Sequence, residues 1–206
     1  MLRIRNLSLS YGAQNVFRDV TFDVHRGEIV CVCGESGCGK SSMLKSVLGF
    51  VDAEGYIQVD GIRLAETTVD EVRRCIAYIP QELSLPYETV EEMVRSPFAL
   101  HANRHIVFSE EKLMSDWRML GLSGDLMSKR ATEISGGQRQ RIMLSVAGLL
   151  GKRLLLADEP TSALDEDSTL LVLDYFKMLA KERGIAVLLV SHSPIIMAGC
   201  TSCLHL

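Results

Sequence analysis

Gly34-Glu35-Ser36-Gly37-Cys38-Gly39-Lys40-Ser41 carries the pattern of a phosphate loop: Gly, four free positions, Gly-Lys, then Ser or Thr. Its surroundings fit. Ile29-Val30-Cys31-Val32-Cys33 is a short unbroken run of β-branched residues and cysteines, the composition of a strand buried on both faces. Ser42 to Leu48 has the apolar spacing of a helix. Glycine is needed because only a backbone without Cβ can curl its N–H groups closely around phosphate oxygens. The helix that follows aims its positive end at the same anion. Lys40 is placed to reach the β- and γ-phosphates, and the Ser41 hydroxyl to ligate Mg²⁺. The alternative is a glycine-rich turn that binds nothing. Four fixed positions arise by chance in roughly one chain of this length in a hundred, and the flanking strand and helix lower that further. The stretch predicts nucleotide binding.

The chain has 206 residues, 47% of them hydrophobic, enough for one domain or a domain with a small lobe that folds without staples. Its net charge is −4 and it has no Lys/Arg block, so it lacks the electrostatic footprint of a nucleic-acid binder, and no nucleic acid is expected as a partner. Met1 to Arg5 is not the start of a signal peptide, and the longest apolar segment, around Ile142 to Leu150, is interrupted by Ser145 and Gly148. The chain is therefore not expected to span a membrane by itself. The six cysteines lack framework spacing and read as cytosolic thiols used as small hydrophobes. Cys200-Thr201-Ser202-Cys203 is formally C-x-x-C, but no second pair accompanies it.

In chain order, Leu2 and Ile4, then Leu7, Leu9 and Tyr11, alternate in two phases with a slip at Arg5-Asn6. Val20, Phe22 and Val24 alternate in one phase, and Gly12, Ala13, Gln14 and Asn15 separate the two runs, which predicts an antiparallel pair. Tyr56 to Val59 reads as a third strand, giving an antiparallel layer over 1–27 and 55–61. On spacing alone Tyr11 is a partly buried strand aromatic. Val69 to Cys75 reads as a short helix and Ile76 to Ile79 as a strand stopped by Pro80, with Gln81 at its exit. From about 82 to 141 the character changes to a helical lobe inserted in the α/β core. There Thr89 and Glu92 form a capping box for a helix through Val94, and Ser109 starts a segment with Leu113, Trp117 and Leu120 that Gly121 closes. His101 and His105 would share a face if helical, but no carboxylate or thiol at matching spacing joins them.

Ile134-Ser135-Gly136-Gly137-Gln138 opens a helix that runs to Leu149, a second anion-binding helix start. A cap needs only the serine; two glycines point to something that must come very close to the backbone. Leu154 to Ala157 is a buried strand ending in Asp158-Glu159-Pro160. Two adjacent carboxylates at the carboxyl end of a strand cannot both be core residues, and ligands of open α/β sheets bind there. Asp158 suits Mg²⁺ and Glu159 a water. Asp165 caps a helix from Glu166 to Arg183 closed by Gly184, Ala186 to Val190 is the next strand, and His192 lies just past its end. Ser193 and Pro194 begin a last helix, and Thr201 to Leu206 a last strand.

Taken in order, these residues resemble the ATP-binding cassette family along almost the whole chain. Gly34 to Ser41 matches its Walker A, Gln81 its Q-loop, Ile134 to Gln138 its signature, and Leu154 to Glu159 its Walker B and following glutamate. Ser162 to Asp165 matches its D-loop and His192 its switch histidine. Tyr11 matches the aromatic that stacks on adenine, which reverses the reading from spacing. Departures are Ile134 for the usual Leu, Ala157 for a bulkier residue, and Ser193 where an acidic residue often stands; none removes a chemical group. The segment Leu85 to Val90 and Pro97 are similar, more loosely, to the ATPase halves of small two-component metal (iron) exporters.

The resemblance implies a P-loop NTPase core with a mainly parallel sheet, a small antiparallel β layer and an inserted helical lobe. It implies ATP and Mg²⁺ as cofactors, held by Gly34, Glu35, Ser36, Gly37, Cys38, Gly39, Lys40, Ser41 and Ser42, with Ser41, Gln81 and Asp158 around the metal. Catalysis would fall to Glu159 as general base with His192, Gln81 and Lys40. Ser135, Gly136, Gly137 and Gln138 would serve the neighbouring subunit's nucleotide in a head-to-tail homodimer. Two functional classes follow: the energy-coupling subunit of a separate transmembrane permease, peripheral on the cytoplasmic face of the membrane and soluble when isolated, or a soluble ATPase with a regulatory or remodelling role. The second class usually carries paired cassettes, coiled coils or zinc modules, which favours transport.

Overall fold

The computed structural model describes residues 1–12, 14–83 and 86–206. Ala13 of the expected first turn and Leu85 of the segment similar to metal exporters lie outside the described residues. In chain order the elements begin β1 (Leu2–Tyr11), β2 (Gln14–Val24), β3 (Ile29–Cys33), α1 (Lys40–Val47), β4 (Glu54–Val59), β5 (Ile62–Arg63), α2 (Val69–Arg74) and β6 (Ile76–Ile79). They continue with α3 (Val90–Ala99), α4 (Glu110–Met119), α5 (Gly136–Leu149), β7 (Leu154–Asp158), α6 (Glu166–Lys181), β8 (Ala186–Val190), α7 (Pro194–Gly199) and β9 (Ser202–His205).

Two sheets form. β2-β1-β4-β5 is antiparallel, and β6-β7-β8-β3-β9 is parallel throughout. The slip at Arg5-Asn6 is a bulge: Asn6 has φ 50° and the register shifts between Ile4 and Leu7, so Leu2, Ile4, Leu7 and Leu9 all stay buried. The turn after β1 is tighter than expected, because Gln14 and Asn15 belong to β2 and pair with Tyr11 and Ser10. β5, at two residues, is too short to leave a periodicity and was not anticipated.

The central strands β3, β7 and β8 are buried at every residue, and their alternation sorts two cores. Cys31, Leu155 and Leu189 face α3 to α7; Val30, Val32, Leu156 and Leu188 face α1 and the antiparallel sheet. The parallel sheet is thus the middle layer, and the loops at its carboxyl ends are held from both sides.

Both expected caps form: Thr89 and Glu92 make a reciprocal capping box on α3, and Ser109 accepts from the Lys112 N–H at the start of α4. α3 runs past Val94 to Ala99 with Pro97 inside it, and the Asn103 amide donates to the Pro97 carbonyl at 2.8 Å. α6 ends at Lys181, two residues early, and Gly184 at φ 66° closes it as expected. His101 lies in a short 3-10 turn that excludes His105, and no group of three metal-ligating side chains exists among the described residues.

A partly buried ion pair and a tyrosine tie α4 to α6 and the turn that follows it. Asp116, 1% exposed, accepts both guanidinium nitrogens of Arg183 and the Tyr175 hydroxyl at 2.6 Å. Gly148 leaves room for that hydroxyl, since a Cβ there would collide with it. Arg183→Met strands a buried carboxylate and is expected to destabilise the protein by about 3 kcal/mol. Tyr175→Phe leaves the ion pair intact and is expected to cost about 1 kcal/mol. Urea unfolding of the two variants checks the order.

Candidate active site

The phosphate loop leaves β3 and enters α1 through three glycines in backbone regions that side chains disfavour: Gly34 at φ 149°, Gly37 at 83° and Gly39 at 99°. They have different neighbours. A Cβ on Gly34 would lie 2.8 Å from the Leu206 carbonyl oxygen, and one on Gly39 would collide with Val16. A Cβ on Gly37 would meet nothing within 4 Å, so this side of the loop opens outward. Gly39 caps α1 without a side chain, which leaves the first N–H groups of the helix free to face an anion. Lys40 is 6% exposed, and its Nζ donates to the Gly34 and Glu35 carbonyls at 3.0 and 2.7 Å. Its ammonium therefore sits inside the curve of its own loop, with Cys38 Sγ at 3.8 Å. Glu35 and Ser36 are exposed on the rim.

The second half of the site comes from β7. Asp158, 3% exposed, accepts from the Ser41 hydroxyl at 2.9 Å. Burial pushes its carboxyl pKa up, against the Ser41 hydrogen bond and the Lys45 and Lys40 charges. A desolvated carboxylate joined to a hydroxyl is a hard oxygen pair that a divalent cation would stabilise, so these residues fit Mg²⁺. Glu159 follows with φ 49°. Its Oε1 lies 3.3 Å from His192 Nε2. Burial raises the Glu159 pKa first, His192 opposes that, and Asp158 adds to it. The backbone here is tightly held: the Glu159 N–H donates to the Val190 carbonyl at 3.0 Å, and its own carbonyl accepts from Gln140 Nε2 at 3.0 Å and from the Ser162 N–H and hydroxyl.

An open cavity of about 520 Å³ brings these parts together, lined by the loop and the start of α1 with Gln81, Glu159, Ser162 and His192. Ser42 lines it as well. Asp158 is reached beneath it through Ser41. Tyr11 stands apart at the end of β1, 56% exposed, with its ring free to stack on a flat ligand.

Ser135, Gly136, Gly137 and Gln138 do not line this cavity. They start α5 with a capping box the sequence reading overlooked: Ser135 Oγ accepts from the Gln138 N–H at 3.1 Å, and Gln138 Oε1 from the Ser135 N–H at 2.9 Å. The close approach that the paired glycines called for lies partly within the chain itself. A Cβ on Gly137 would lie 2.8 Å from Leu164 Cδ2 and 3.0 Å from the Ala163 carbonyl oxygen. Gln140, a helix glutamine with no motif of its own, gains its importance only from the contact its amide makes with the Glu159 carbonyl, just past β7.

The ABC transporter family model matches residues 17–162. The chain is 34% identical over 93% of its length, and 80% of the relative's, to the glutamate/aspartate import ATP-binding protein GltL of Escherichia coli K12. It is 33% identical to the macrolide export ATP-binding/permease protein MacB of Campylobacter jejuni, over 96% of this chain and 31% of that one. It also superposes with TM-score 0.85 and 25% identity, over all of this chain and 94% of the other, on the dimeric ATP-binding cassette MJ0796 in a post-hydrolysis state bound to ADP and Pi.

The raised Glu159 pKa sets a direction for pH dependence. If Glu159 acts as a base it works ionised, so kcat/KM for ATP, which reports the free enzyme, should fall as pH drops through a limb displaced upward from the ordinary glutamate value. Because His192 lowers this pKa, His192→Ala should move the limb further up. A pH–rate profile of both proteins checks the shift.

Proposed function

This chain belongs to the ATP-binding cassette transporter family as an ATP-binding, ATP-hydrolysing subunit, and we propose that it powers a separate membrane permease by the residues assembled above. The observation that carries the site assignment is the convergence of the phosphate loop, Gln81, Glu159 and His192 on one cavity, with Asp158 bonded to Ser41 below it. The loop and the N-terminus of α1 hold the triphosphate, and Lys40 exchanges its bonds to Gly34 and Glu35 for phosphate oxygens. Ser41, Asp158 and Gln81 would hold Mg²⁺, which neutralises phosphate charge as the leaving group departs. Glu159 takes a proton from the attacking water, aided by a pKa that burial has moved toward neutrality. His192 steadies the transferred group. Catalysis is positioning and charge stabilisation, with no covalent intermediate.

The start of α5 acts across a head-to-tail homodimer. Support comes from its position outside the cavity that its own chain supplies, and from the dimeric cassette to which the chain is similar. No described helix is long and apolar enough to cross a membrane; the proposed place at the cytoplasmic face, through a partner, is supported by the transporter ATP-binding subunits to which the chain is similar. A groove of about 540 Å³ lined by Tyr78, Ile79 and Pro80 at the end of β6 and by Pro97, Leu100 and His101 at the end of α3 suits a permease segment, and Leu100 in its lining is 59% exposed. Relatives named for import of glutamate/aspartate and export of macrolides share this cassette, so direction and cargo belong to the permease. The finer reading, export of a metal ion such as iron, rests on the sequence similarity at Leu85 to Val90 and Pro97.

Purification from native membranes in mild detergent should recover a stoichiometric polytopic partner; recovery from the cytosol alone would favour a soluble ATPase. Glu159→Gln is expected to bind ATP, lose turnover by about a hundredfold or more, and accumulate an ATP-bound dimer on size exclusion. Ser135→Arg is expected to abolish hydrolysis while the monomer keeps its nucleotide affinity. Loss of that affinity would argue against action across the interface.

A further inference from the structure

We infer that Gln140 is a positioning residue for Glu159: its buried side-chain amide sets the direction of the Glu159 carbonyl and so the left-handed backbone that aims the carboxylate into the cavity. This rests on the reading of Glu159 as the base. Four residues other than glycine have positive φ among the described residues, and three of them are Asn6, Asp19 and Asp60, types that tolerate that region. Glu159, at φ 49°, is the fourth and has no such tolerance, so its surroundings must impose the conformation.

The restraints are few and identifiable. The Glu159 N–H is fixed to Val190 at the end of β8. Two of the donors to its carbonyl belong to Ser162, which closes a turn in the same loop and therefore moves with Glu159. Gln140 Nε2, at 3.0 Å, comes from a different element. Gln140 is 4% exposed, so losing this partner would leave a desolvated amide, and the bond is obligatory on both sides. The side chain stands on α5 within two turns of Ser135, so the same rigid helix carries the start proposed to meet the neighbour's nucleotide and the amide that orients the base. An ångström of drift in a base can cost on the order of a hundredfold in rate.

The test uses Gln140→Met, close in length and without a donor, and Gln140→Leu as a second variant should the first fail to fold. Both should lose about 10- to 100-fold in kcat, with KM for ATP and the affinity for a fluorescent ATP analogue within about twofold of the parent. With MgATP they should accumulate a dimer on size exclusion, because the start of α5 is intact and only hydrolysis is slowed. Added to Glu159→Gln, the change should cause no further loss, since both act on one group. An unchanged kcat overturns the inference. So does a loss accompanied by weaker nucleotide binding or by no dimer, which would mean a damaged helix start, and so does a loss that multiplies that of Glu159→Gln. The Glu159→Gln single variant separates the two readings: full turnover there removes Glu159 as base and this inference with it, whereas lost turnover there with normal Gln140 variants removes the positioning role alone.

Discussion

The hydrogen bond from the Ser41 hydroxyl to Asp158 holds the two halves of the site together. Ser41 belongs to the helix that leaves β3 and Asp158 to the end of β7, two strands separated in the sheet by β8. A carboxylate this deeply buried is unfavourable alone, and the hydroxyl together with the Lys45 and Lys40 charges offsets only part of that cost. The remainder is an electrostatic demand for a cation, built in by folding. Without the parallel sheet to set the two elements in register, neither residue would be desolvated and neither would attract a metal strongly.

The parts of this site that were legible in the sequence are those where the backbone has no choice. Gly37 and Gly39 had to be glycine, and the run from Ile29 to Cys33 could only be a fully buried strand. The slip at Arg5-Asn6 was readable because a bulge shifts the phase of buried residues. What stayed hidden depends on tertiary contact. Gln140 on a helix looks like any polar residue until the Glu159 carbonyl meets its amide, and Gly137 looked open to a partner although Ala163 and Leu164 already crowd it. The start of α3 at Thr89 was readable from its capping box, but its run beyond Val94 through Pro97 to Ala99 was not. Two-residue β5 and the 3-10 turn at His101 are too short to give any period.

The two cores divide the work differently. One joins the sheet to the antiparallel layer and α1, and so fixes the phosphate loop. The other joins the sheet to α3 through α7, with the Asp116, Tyr175 and Arg183 cluster as its polar centre. A fully apolar contact between α4 and α6 would tolerate sliding, whereas a bidentate pair with a third donor has one satisfactory geometry. The segment that carries the α3 groove is therefore attached to the core at a defined angle, while its opposite end meets the core through the loops after β6.

Lys40 shows how far binding has been prepared in advance. Its side chain would keep most of its rotamer freedom at a surface; here it is buried and bonded to two carbonyls, so that freedom is lost when the chain folds. An arriving phosphate meets a donor already immobile, and the binding equilibrium need not include its ordering. What the anion must do is compete with Gly34 and Glu35 for the same protons. The loop thus acts as its own weak ligand, which keeps the cradle from collapsing and makes capture an exchange of acceptors.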